Sequence, residues 1–229
     1  MFIPRSARER GHSRLSWLDS RHTFSFADYF SPQHMGFRNL KVINEDRVAP
    51  EGGFMLHPHN DMEIVTYVIY GQLEHRDTEG NHSIIDPGEV QLMSAGTGIH
   101  HSEFNPSKSY SVHFLQIWIQ PDAKGYPPGY QQFSFRERQS MNRPFLLVSP
   151  DGREGSLTIH QDIKLYTQTV QTGRRIIHSL DKNRHGWIQV VRGKIRVETT
   201  PLNKGDGLAI SDMRQFDVFA MENSEWLFF

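Results

Sequence analysis

Short runs rich in Val, Ile, Phe, Tyr and Trp recur along the chain between clusters of Gly, Pro, Asn and Asp, and helical periodicity is hard to find. The pattern predicts strands at 40–44, 63–70, 72–76, 82–85, 91–94, 111–119, 145–148, 165–170, 187–192, 194–199, 207–211 and 225–229. Turn chemistry separates them: Gly71, then Asp77-Thr78-Glu79-Gly80-Asn81, then Asp86-Pro87-Gly88-Glu89 read as hairpin connections. Val191-Arg192-Gly193-Lys194 and Lys204-Gly205-Asp206-Gly207 repeat the order strand, glycine turn, strand in the second half. The expectation is an all-β chain with a weak internal repeat, two antiparallel β-barrels in tandem. Segment 120–144, with Pro121, Gly125, Pro127, Pro128, Gly129 and Pro144, has the composition of a connector. The expected domains are therefore 1–130 and 131–229, the alternative being one long excursion inside a single domain.

Composition narrows the function classes. The chain has 229 residues, with 25 Lys and Arg against 26 Asp and Glu, a formal net charge of −1. That balance argues against a protein built to hold nucleic acid or an anionic membrane. Mean hydropathy is −0.57, and no run approaches the roughly 18 apolar residues of a membrane helix. The first 14 residues carry Arg5, Arg8, Arg10 and Arg14 but no apolar core or small-residue cleavage site, so the cytoplasm is the expected location. The arginines are expected on a solvated strand, and the apolar end Trp226-Leu227-Phe228-Phe229 as a buried last strand. Cysteine is absent, so any metal must sit on His, Asp or Glu. The chain has neither a Gly-x-Ser-x-Gly elbow nor a Walker-type Gly-Lys-Ser/Thr, which removes the usual hydrolase and nucleotide readings.

Histidine is abundant, at 13 residues, and four chemistry-bearing side chains have a telling spacing. His57-Pro58-His59 and His101-Ser102-Glu103 each place two groups two residues apart, on one face of an extended strand. A His-x-His pair alone reads more readily as two surface or capped histidines. Two such pairs on neighbouring strands would instead bring three imidazoles and a carboxylate to one mid-row divalent cation such as Fe, Mn, Co, Ni or Cu. His100 falls on the opposite strand face and reads as a structural or hydrogen-bonding neighbour of the site. Gln116 and Trp118 share a face and line either a pocket mouth or the core. His12, His22, His75, His82 and His113 have no spaced partner and read as satisfied or exposed residues.

Gly52-Gly53, His57-x-His59, Glu63 and Gly71, followed by Gly96-x-Gly98-x-x-His101-x-x-x-Asn105, resemble the two motifs of the cupin superfamily, with Gly96 where many cupins have Pro. More narrowly the chain resembles a pirin, through Arg10-Gly11-His12, Trp17-Leu18-Asp19-Ser20, the run from His22 to Tyr29, the stretch 58–66, Met93 to Gly98, His101-Ser102-Glu103 and Gln116-Ile117-Trp118. The resemblance implies a bicupin of jelly-roll type whose first domain holds the metal on His57, His59, His101 and Glu103. It also implies that Glu63 is a carboxylate orienting a ligand or a metal-bound water, and that the second domain carries no metal. Bacterial pirins often cleave flavonols such as quercetin with O2, releasing carbon monoxide. The implied roles are a flavonol bound through its 3-hydroxyl and Glu103 as the acceptor of that proton. The alternative is a metal- or redox-responsive regulator that binds a protein partner, with no direct contact to nucleic acid or membrane.

Overall fold

The structure, a computed structural model, describes all residues, Met1–Phe229. Strands dominate; the only helical pieces are the 3₁₀ turns Ala7–Glu9 and Arg153–Gly155, and no helix is long and apolar enough to cross a membrane. The chain divides into two compact units, one of Gly11–Glu137 with Pro150–Asp162, the other of Met1–Arg10, Arg138–Ser149 and Ile163–Phe229.

In the first unit seven strands form an antiparallel sheet in the spatial order Gly129–Ser134, Glu89–Ser94, Glu63–Tyr70, Val112–Ile119, Leu40–Val48, Leu18–His22, Gly11–Arg14. A four-stranded sheet in the order Gly53–His59, Ile99–Phe104, Leu73–Asp77, His82–Ile85 faces it. The second unit repeats this wiring. Strands Phe2–Arg5, Gly207–Ile210, Gly186–Arg192, Ser224–Phe228, Leu165–Val170 and Phe145–Ser149 follow one another in a sheet, and Arg175–Ser179, Gln215–Ala220, Lys194–Val197 and Thr200–Asn203 form its four-stranded companion. The expected repeat is therefore present, as jelly-roll pairs of sheets instead of closed barrels.

Three segments depart from the linear reading. Phe2–Arg5 pairs with Gly207–Ile210 in the second unit, and Arg5, expected in a solvated run, is only 4% exposed there. Residues 150–162 belong to the first unit, so the division is an exchange of segments and not one cut near 130. Within the expected connector, Gly129–Ser134 is a full edge strand on Glu89–Ser94. The apolar C-terminal end is buried as expected.

Cross-strand register explains how the first unit builds a polar interior. Directly paired residues share a sheet face, and the pairings His22 with Asn44, Asn44 with Gln116, Gln116 with Thr66 and Thr66 with Gln91 draw one polar row across the inner face of the large sheet. On one side of this row lies an apolar cluster of Leu18, Val48, Val68, Leu73, Ile85, Val112 and Phe114. On the other lies a cluster of Ile64, Met93, Ala95 and Ile99, with Trp118 packed against it. Each fully buried aliphatic or aromatic side chain contributes about 1.5–3 kcal/mol, so these two clusters carry the burden of holding a polar layer between them.

The Gly96 turn fixes one wall of this unit. Gly96 has φ +49°, and a Cβ there would lie 2.1 Å from the carbonyl oxygen of Tyr126. Thr97 N donates to that same oxygen at 2.8 Å. Gly80 also has positive φ, but nothing lies within 4 Å of its would-be Cβ. Gly96→Ala is expected to cost about 2–3 kcal/mol in urea unfolding, against about 1 kcal/mol for Gly80→Ala. Equal losses at the two positions would show that the close approach to Tyr126 carries no energy.

Candidate metal centre

Strand pairing brings the two sequence pairs together. Ile99–Phe104 lies beside Gly53–His59 with His101 opposite His57 and Ile99 opposite His59. The register shifts between His101 and Glu103, the extra residue lying on Gly53–His59. Ring centroids are 4.4 Å apart for His57 and His101, 4.9 Å for His57 and His59, and 4.8 Å for His59 and His101. One nitrogen from each of these three imidazoles lies within 4.8 Å of the others, and the same limit holds for a group made of His75, His101 and Glu103. His101 and Glu103 are each 1% exposed, while His57 and His59 are half-buried.

The hydrogen bonds leave lone pairs directed inward. His57 Nδ1 lies 2.7 Å from the carbonyl oxygen of Met55, which only accepts, so Nδ1 carries the proton and Nε2 is bare. His59 Nε2, His101 Nε2 and Glu103 Oε1 are buried with no hydrogen-bond partner. Leaving such atoms unpaired is costly in a folded interior, and a cation bound at His101 is a partner that such acceptor atoms can share. Three imidazole nitrogens and one carboxylate oxygen are also a donor set that mid-row divalent metals accept, so the residues present fit a metal ion.

Glu103 is oriented from the facing sheet. Trp118 Nε1 donates to Gln116 Oε1 at 3.2 Å, and Gln116 Nε2 donates to Glu103 Oε2 at 2.5 Å. An indole nitrogen can only donate, so the amide orientation of Gln116 is fixed and its NH2 must face the carboxylate. Gln116 is thus buried, as one of its two alternatives had it, and hydrogen-bonded to Glu103. Burial favours the neutral form of His59 and His101, the state a ligand needs. His59 is lowered to about 4 by desolvation and then by the His57 charge, and His101 to about 2 by desolvation and then by its histidine neighbours. Burial pushes Glu103 up to about 7, against the opposing donation from Gln116 and with a further push from Asp46.

Other expected neighbours lie elsewhere. Glu63 is buried, but its oxygens are taken by Ser94 Oγ at 2.9 Å and His160 Nδ1 at 3.1 Å, not by His57, His59 or His101. His100 does point to the other face of its strand and is exposed, with no place lining the site. His12, His22, His82 and His113 have local partners in Asp19, Ser13 and Asn44, Glu74, and Glu45. His75 was expected to be equally bland, yet its ring centroid lies 5.2 Å from that of His101 and its strand position is opposite Glu103. A His75-x-Asp77 pair on one strand face was the signal that could have found it. An aromatic edge completes the site: Trp118 meets His59 at 4.8 Å and Phe26 meets Trp118 at 5.3 Å, both nearly perpendicular.

Comparison with known proteins now adds to this geometry. The Pirin family matches residues 4–119, and the quercetinase C-terminal cupin domain matches residues 146–229. The chain belongs to the pirin family. This pirin is 46% identical to quercetin 2,3-dioxygenase of Escherichia coli strain K12 over 229 residues, covering 100% of this chain and 98% of that protein. It is 36% identical to a pirin-like protein of Caulobacter vibrioides, with 94% and 93% of the two chains covered. Among solved structures, the bacterial pirin YhhW of Escherichia coli in complex with nickel(II) superposes with a TM-score of 0.95 at 45% identity, over 100% of this chain and 97% of that one.

Proposed function

We propose that this pirin is a metal-dependent dioxygenase that cleaves flavonols such as quercetin with O2, holding one divalent transition metal on His57, His59, His101 and Glu103. The observation that carries the reading is the cluster of His57, His59 and His101, whose nitrogens lie within 4.8 Å of one another, with Glu103 within the same distance of His101 and unpartnered acceptor atoms on His59, His101 and Glu103. The quercetin 2,3-dioxygenase named in Escherichia coli supplies the substrate class. Bound there, the ion supplies a Lewis acid for the substrate hydroxyl and redox coupling between an electron-rich flavonol and oxygen. Iron(II) is the first expectation, and the same donors accept Mn, Co, Ni or Cu.

The chain's own residues do the rest. Gln116 occupies Glu103 Oε2, so Oε1 is the oxygen left to bind the ion or to take the proton of the substrate's 3-hydroxyl. A carboxylate held beside a cation in this buried place is within reach of that proton. Trp118 and Phe26 offer ring edges and faces to a flat aromatic substrate beside His59.

The test is oxygen consumption, flavonol loss and carbon monoxide release by protein stripped with a chelator and reloaded separately with Fe(II), Mn(II), Co(II), Ni(II) or Cu(II). Turnover is expected with at least one metal, to vanish on chelation and to return on reloading. Inactivity with all five metals would rule out the enzyme reading.

A further inference from the structure

Asp77 and His75 are buried to 0% side-chain exposure behind His101, and the three form a line of hydrogen bonds. His75 Nε2 lies 2.9 Å from Asp77 Oδ2, and His75 Nδ1 lies 3.4 Å from His101 Nδ1. Asp77 also accepts from Glu79 N, Asn81 N and Asn81 Nδ2 at 3.0–3.1 Å, a set of donors that suits an ionised carboxylate. A carboxylate only accepts, so His75 carries its proton on Nε2 and presents a lone pair at Nδ1. Two lone pairs cannot face each other across a hydrogen bond, so His101 must place its proton on Nδ1. Its bare nitrogen is then Nε2, the atom that is buried without a partner at the centre.

We propose that Asp77 and His75 are positioning residues that select the Nδ1–H tautomer of His101 and so direct its Nε2 lone pair at the metal. The inference rests on the metal reading given above, though not on flavonol chemistry. Carboxylate and imidazole partners behind a ligating histidine generally fix its tautomer and raise its basicity, and removing them weakens metal binding about 10–100-fold. Register explains the placement: Asp77 pairs with His101 and His75 with Glu103 on adjacent strands. Tyr130 packs against the His75 ring, with centroids 4.9 Å apart. The competing assignment, His75 as a direct ligand within the group His75, His101 and Glu103, requires a nitrogen that is already engaged.

The test is nitrogen-15 NMR of the histidine rings in the full-length, metal-free protein at mildly alkaline pH, with Ni(II) affinity measured by chelator competition. Wild type is expected to show His101 protonated on Nδ1 and His75 on Nε2. His75→Leu is expected to release the His101 tautomer and weaken Ni(II) binding about 10–100-fold. His75→Gln, whose amide can accept from His101 and donate to Asp77, is expected to restore most of both. His75 is varied in preference to Asp77 because Asp77 also holds the turn to Asn81. A wild-type His101 protonated on Nε2 overturns the proposal, and this result needs no variant to fold. Unchanged tautomer and affinity in His75→Leu also overturn it, and failure of Gln to do better than Leu would point to direct ligation by His75. None of these readouts uses a flavonol, so failure of the dioxygenase assay would leave them intact.

Discussion

His101→Ala is expected to abolish metal retention and reduce oxygen-dependent flavonol loss by more than the roughly 100-fold typical of changes behind a ligand. His101 sits at the middle of the cluster, its ring 4.4 Å from His57, 4.8 Å from His59 and 5.2 Å from His75. It is also the one imidazole of the proposed ligand set that is fully buried. Water can stand in for a lost ligand at half-exposed His57 or His59 more readily than in the sealed space around His101. The fold should survive. Alanine removes a buried nitrogen that has no partner, while it leaves His75 Nδ1 without its donor at a cost of about 1–3 kcal/mol. The measurements are metal content per chain after purification without an affinity tag, turnover in the best metal, and a thermal melt as the folding control. A variant that melts cooperatively yet keeps one metal per chain, or more than a tenth of wild-type turnover, would remove His101 from the centre.

The site was legible where its logic is local. His57-x-His59 and His101-x-Glu103 obey the two-residue period of a strand, so spacing alone placed each pair on one face. What spacing does not encode is register. His75 joins the site because its strand pairs with Ile99–Phe104 and sets it opposite Glu103, a pairing that the local His75-x-Asp77 spacing does not specify. Glu63 is the converse case. Its partner His160 lies 97 residues away, on a segment of chain returning from the second half, so a local motif pointed it at the metal while tertiary structure gave it to another histidine. The fold shows the same division. Apolar runs announced the central strands, but Gly129–Ser134 is an edge strand carrying Gln131 and Gln132 among prolines and glycines, and its pairing is supplied by Glu89–Ser94 and not by its own composition. The first strand, Phe2–Arg5, reads as solvated because of its arginine, yet the second unit buries that arginine.

His178→Phe is expected to change the acid stability of the metal-free protein by up to about 3 kcal/mol, in favour of the variant near pH 4. Strand order makes His178 the second unit's counterpart of the histidine strand, since Arg175–Ser179 occupies the edge that Gly53–His59 occupies in the first. Aromatic rings take the surrounding places. His178 pairs with Phe216 and stacks on it at 5.1 Å, and Phe228 approaches at 4.5 Å. Burial lowers His178 from 6.5 to about 4, with no other cause, and its Nε2 has no partner. The sign follows from proton counting. Between about pH 6.5 and 4 the unfolded chain takes up a proton at this residue that the folded chain refuses, so stability is lost as pH falls through that window. Asp46 and Glu103, both raised to about 7, act in the opposite sense: the folded state binds their protons first, so their contribution is full in acid and is lost as pH rises toward 7. Those carboxylates are untouched by the substitution and cancel in the difference between the two proteins. Phenylalanine keeps the stacking but is larger, and overpacking of about 1–3 kcal/mol would shift the whole curve without changing its slope. Urea unfolding of both proteins from neutral pH to about pH 4 reads the difference directly. Curves that stay parallel throughout would mean that His178 is charged in the folded protein, or that the second unit admits water enough to hydrate it.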